Sequence, residues 1–140
     1  MRESTRGWGL ALTAYAVVLA GVLAWPNGWL LNRFTVWLYV KGRRTFPEAV
    51  PEDYGVVLNV LAWAILVVLA GRALPKVSPL VWVVAGAAAS VLAEIVQRAF
   101  LPAREALWAD VLANTGGAVL GAALLSAWRV RDRRVRRGTR

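Results

Sequence analysis

The sequence contains neither cysteine nor histidine. Without cysteine there is no disulfide framework, no thiolate metal site and no thiol nucleophile. Without histidine there is no Ser-His-Asp triad, no HExxH zinc site and no imidazole proton shuttle. Structural zinc loses its usual ligands as well. No metal and no cofactor is therefore expected. Any acid–base chemistry is left to carboxylates, Lys, Tyr or Arg-assisted groups. Acidic residues are also scarce, with 8 Asp+Glu against 17 Lys+Arg and a net charge of +9.

Apolar residues are abundant: they make up 59% of the 140 residues, against about 45–50% in soluble domains. A chain of this length forms one domain. Its interior cannot hold that much apolar surface, so the excess must face something other than water. Four apolar runs stand out, over about residues 8–25, 54–71, 77–97 and 111–128. Each is about 18–21 residues, or roughly 27–31 Å as a helix, enough to cross a hydrocarbon core. None alternates with a period of two, so transmembrane helices fit and barrel strands do not. The expected fold is an all-α bundle of four transmembrane helices. The first run follows Arg2 and Arg6, as a signal peptide would. It ends Gly21-Val22-Leu23-Ala24-Trp25-Pro26 without a small-x-small cleavage site, so it reads as an uncleaved first helix.

Orientation follows from Lys and Arg in the short loops. With the N-terminus inside, eleven basic residues fall on the inner side and six on the outer side. Seven of the eleven are tail arginines within residues 129–140. Both termini are therefore expected in the cytoplasm. The tail reads as a topology signal attracted to anionic lipid. It has neither interleaved aromatics nor a nucleic-acid-binding fold, so no nucleic-acid partner is expected. Seven of the eight tryptophans lie near predicted helix ends or in the first outer loop, as an interfacial belt requires. Only Trp63 lies mid-helix. Within that outer loop, residues 29–40 are apolar but too short to span, and read as an interfacial helix.

Polar groups inside a membrane are costly and usually face the bundle interior. Here they are few. Asn59 is in the second span, Glu94 and Gln97 end the third, and Asp110 and Asn114 begin the fourth. Gly86, Ser90 and Glu94 are spaced four apart, and Gln97 follows by three, so all share one helix face. Asp110, Asn114, Gly117 and Gly121 form a similar stripe. Small residues at such spacing mark close helix contact. The simplest arrangement packs the two stripes together. Arg104 falls in the short loop between these spans. All six polar residues are then expected at one level, in the outer leaflet.

The run Glu94-Ile95-Val96-Gln97, then Arg104, then Asp110-Val111-Leu112-Ala113-Asn114-Thr115-Gly116-Gly117 resembles the signature of the VanZ-like membrane proteins. Asn59 matches the Asn that opens that family's second helix. The stretch after it, Val60-Leu61-Ala62-Trp63, lacks the Pro and Gly of the usual motif. The resemblance implies a multi-pass protein of the bacterial cytoplasmic membrane. It also implies a link to low-level resistance to glycopeptides of the teicoplanin type.

Several readings of the polar residues stay open. Glu94 and Asp110 could act as an acid and base pair, with Arg104 clamping a phosphate. Gln97, Asn114 and Asn59 would then be ligand-binding residues, and the partner a membrane lipid with an anionic or lipid-linked headgroup. The same residues could serve only as a polar clamp between helices. A hydrolase or transferase of a lipid-linked phosphate and a small transporter or assembly partner are the other classes. Asp110 alone could be a helix N-cap.

Overall fold

The structure is a computed structural model that describes residues 2–25, 29–100 and 108–138. It contains five helices: α1 (Arg2–Leu23), α2 (Trp29–Gly42), α3 (Pro51–Ala73), α4 (Pro79–Phe100) and α5 (Trp108–Gly138). No strand occurs among the described residues. α1, α3, α4 and α5 are each long and apolar enough to cross a membrane. The all-helical class and the four spans agree with the sequence reading.

Helix boundaries shift by a few residues or more, and two of the shifts have a visible cause or consequence. α3 starts at Pro51, three residues early, because Pro suits the first helical turn. The Asp53 carboxylate then accepts a bond from the Val50 amide at 2.9 Å, satisfying a donor at the helix start. α5 continues ten residues past Trp128, so the basic stretch is helical through Gly138. Trp128 Nε1 donates to Asp132 at 3.1 Å across that junction. The segment read as an interfacial helix does form α2. It leans on α3, with Tyr39 and Tyr54 meeting edge to face at 6.3 Å.

α3 is the central element, touching all four other helices, and α5 packs on it most extensively. Glycine permits this. A Cβ on Gly117 would strike the Val60 carbonyl, and one on Gly121 would lie 2.6 Å from the Ala64 carbonyl. Trp63 is 3% exposed and fills the space beside these contacts. Paired positions 60 with 117 and 64 with 121 advance together, so α3 and α5 run parallel. α4 returns antiparallel to α5: Gly86 faces Ala118, and Ser90 bonds Asn114.

The glycine pair therefore belongs to α3, not to the α4 stripe that the sequence suggested. The physical reason is angular. Positions 117 and 121 follow Asp110 by two and three turns, on the side that meets α3. Asn114 and Ala118 lie on the flank that meets α4. One stripe thus serves two neighbours.

The far end of the bundle is pinned by arginines. The Arg72 guanidinium lies 4.8 Å from the Trp8 ring and 3.8 Å from the Trp128 ring, tying α1, α3 and α5 together. Arg129 donates to the Val77 carbonyl at 3.1 Å and to the Gly71 carbonyl at 3.3 Å. The latter is an end-of-helix acceptor of α3 that would otherwise lack a donor. At mid-height Tyr15 donates to the Ala62 carbonyl at 3.0 Å, holding α1 to α3.

Forcing a methyl group between packed backbones typically costs about 1–3 kcal/mol. Gly121→Ala is expected to lose stability of that order by thermal unfolding in detergent. Gly116→Ala, where an added Cβ meets nothing within 4 Å, is expected to change stability by less than about 0.5 kcal/mol.

Candidate functional site

At the end of the bundle opposite Arg72, a cavity of about 180 Å³ opens between the helices. Its polar lining comprises Thr35, Asn59, Glu94, Gln97, Asp110 and Asn114. Four helices supply these six: α2 gives Thr35, α3 gives Asn59, α4 gives Glu94 and Gln97, and α5 gives Asp110 and Asn114. α1 closes the wall with Leu23.

Each polar group is held by a neighbour. Asn59 Nδ2 donates to Asp110 Oδ1 at 2.9 Å, linking α3 to α5. Asn114 Nδ2 donates to Ser90 Oγ at 2.8 Å, linking α5 to α4. Gln97 Nε2 donates to the Leu23 carbonyl at 3.0 Å, linking α4 to the last turn of α1. Thr35 Oγ1 turns back onto the Asn32 carbonyl at 2.9 Å. Asn114 is 3% exposed, and its Oδ1 has no hydrogen-bond partner among the described residues. A buried acceptor left in that state costs about 1–3 kcal/mol. It is a vacant acceptor in the wall of a polar cavity.

Five of the six residues singled out from the sequence thus meet at one cavity. Asp110 lies in the first turn of α5 rather than ahead of it. Its carboxylate accepts from Asn59. Arg104 lies outside the described residues. No Lys or Arg lines the cavity among the described residues, and its described chemistry is that of carboxyl, amide and hydroxyl groups.

Thr35 and Ser90 were missed as site residues. Ser90 was visible as part of the small-residue stripe, but its bond to Asn114 depends on how α4 meets α5. Thr35 is a single hydroxyl in an apolar run read as lying on the membrane surface. Nothing in its local pattern turns it toward Asn59. Only the docking of α2 on α3 does, where a Cβ added to Gly55 would lie 4.0 Å from the Thr35 methyl group.

Residues 12–129 match the family described as VanZ/LLP1. The chain belongs to the VanZ/LLP1 family. Comparison with curated proteins and with solved structures returned no match. In this VanZ/LLP1 chain the matched residues include every described residue of the cavity lining.

Interhelical hydrogen bonds in membranes average about 0.6 kcal/mol, with a maximum near 1.7. Ser90→Ala removes the one hydrogen-bond partner seen for the Asn114 amide group. It is expected to lower stability toward the upper end of that range, by thermal unfolding in detergent. An unchanged midpoint would show that Asn114 finds another partner.

Proposed function

We propose that this VanZ/LLP1 chain binds the headgroup of a cell-envelope lipid in the polar cavity, at the outer face of a bacterial cytoplasmic membrane. The observation that carries the reading is Asn114: a buried acceptor without a partner, in the wall of a cavity lined by two carboxyl groups. A ligand bearing N–H or O–H donors, such as an ammonium or a sugar hydroxyl, satisfies it. Asn59 holds the Asp110 carboxylate ready to accept. Arg104, in the segment joining α4 to α5, supplies the cation for a phosphate. The preferred headgroup therefore carries a phosphate and, beyond it, hydrogen-bond donors. Occupying such a lipid at the outer face would alter its access to a glycopeptide of the teicoplanin type.

The test is mass spectrometry of lipids that co-purify with wild type, Asn114→Leu and Arg104→Ala. One headgroup class is expected to be enriched on wild type and depleted severalfold on both variants. Identical profiles from all three proteins would remove the reading. A hydrolase or transferase of a lipid-linked phosphate is the second reading, favoured by two carboxyl groups sharing one cavity, Glu94 and Asp110. In that case Glu94→Gln accumulates the intact lipid, while wild type retains its product.

The outer placement of the cavity rests on the excess of basic residues around α1, the α3–α4 turn and the tail. α2 then lies along the outer surface. The native chain has no cysteine, so single-cysteine labelling reads topology without background. A membrane-impermeant maleimide on intact cells is expected to label Thr45→Cys and to spare Ser78→Cys. The reverse pattern would place the cavity on the cytoplasmic side.

A further inference from the structure

Beside the polar cavity lies a second space of about 250 Å³, lined by Val18, Gly21, Val22, Trp25 and Leu31. It contains no charged or hydrogen-bonding side chain except the Trp25 indole. On α1 the residues 18, 21 and 22 follow the i, i+3, i+4 spacing of a single face, and Trp25 lies just beyond the end of that helix. Val18, Val22 and Trp25 are exposed. Gly21 makes a notch in that face, where an added Cβ would meet nothing within 4 Å. Leu31 of α2 lines this groove and also the polar cavity. The two spaces therefore adjoin across one side chain. One is apolar and opens on the bundle surface; the other is polar and opens between helices.

We propose that the groove at Gly21 holds one acyl chain of the same lipid whose headgroup enters the cavity past Leu31. The inference rests on the headgroup reading and adds to it a lateral entry between α1 and α2. The ligand is then a molecule already in the bilayer, recognised at both ends, rather than a soluble headgroup arriving from water. Continuity selects this occupant. An acyl chain and its headgroup are the one covalently joined pair, apolar and polar, that a membrane delivers to adjoining spaces of this kind. A water-borne sugar or amine has no use for the groove. An ordinary boundary lipid has no link to the cavity.

The experiment uses the full chain in vesicles containing a phosphatidylethanolamine with a photoactivatable diazirine on one acyl chain. Cross-links are mapped by peptide mass spectrometry on wild type, Gly21→Leu and Asn114→Leu. Gly21→Leu places a side chain in open space, so its thermal midpoint is expected to match wild type. Wild type is expected to cross-link between residues 18 and 31 at least fivefold above Leu92, an exposed position on α4. Gly21→Leu is expected to lose that excess by filling the groove. Asn114→Leu is expected to lose it too, although it leaves the groove untouched. That loss at a distance is what a boundary lipid would not show. If Asn114→Leu depletes the co-purifying headgroup but leaves groove cross-links at the wild-type level, the groove proposal fails and the headgroup reading stands. If wild type retains no headgroup class that Asn114→Leu loses, both fail.

Discussion

Everything in this bundle depends on how closely α5 can approach α3. Lipid tails are as apolar as the side chains they touch, so helices in a membrane gain little by hiding apolar surface from one another. What holds them is close packing, and close packing needs small residues at the contact. Gly117 and Gly121 let α5 lie against the Val60 and Ala64 carbonyls. Trp63 then has a slot to fill, and Gly86 and Ala118 can meet behind it. With this contact fixed, the first turn of α5 is delivered beside Asn59. The Asn59–Asp110 hydrogen bond is a consequence of that approach as much as a cause of it.

The two ends of the bundle are built from opposite chemistry. One end gathers Arg72, Arg129, Trp8 and Trp128 into cation–π and carbonyl contacts, beside an open space lined by Trp128, Arg131 and Asp132. Helix α3 places its C-terminus there, where cations satisfy its last carbonyls. The other end gathers carboxyl and amide groups around a cavity. The first ties α1, α3, α5 and the α3–α4 turn together. The second keeps one buried amide oxygen unmatched.

Much of this is legible in the sequence. Span number, span position and the face shared by Gly86, Ser90, Glu94 and Gln97 follow from periodicity and length alone. The convergence of Asn59, Glu94, Gln97, Asp110 and Asn114 followed from their common depth. Depth is a one-dimensional property and a sequence carries it well. Azimuth between helices is not: the Asp110–Gly121 stripe read as one surface, yet it divides between α3 and α4. Thr35 was invisible for the same reason, because its role depends on which side of α2 meets α3. The bond from Gln97 to the Leu23 carbonyl has a backbone acceptor, which no residue type announces.

The missing histidine gives the cavity its character. Histidine is the side chain whose ordinary pKa places its charge change near neutrality, and none is present. The described lining offers carboxyl, amide and hydroxyl groups instead. Asn59, Gln97 and Asn114 each give one N–H to a protein acceptor and keep a second. Their carbonyl oxygens add acceptor capacity. Carboxyl groups add to the same side of the balance. A site biased in this way discriminates by the count and placement of donors on its ligand, because each missing donor leaves a buried acceptor unmatched. That is the logic by which the proposed headgroup site would choose its ligand. A ligand anchored by a hydrocarbon chain also needs little attraction from the polar site to stay in place. A few well-placed acceptors then suffice to choose among lipids that the membrane already supplies.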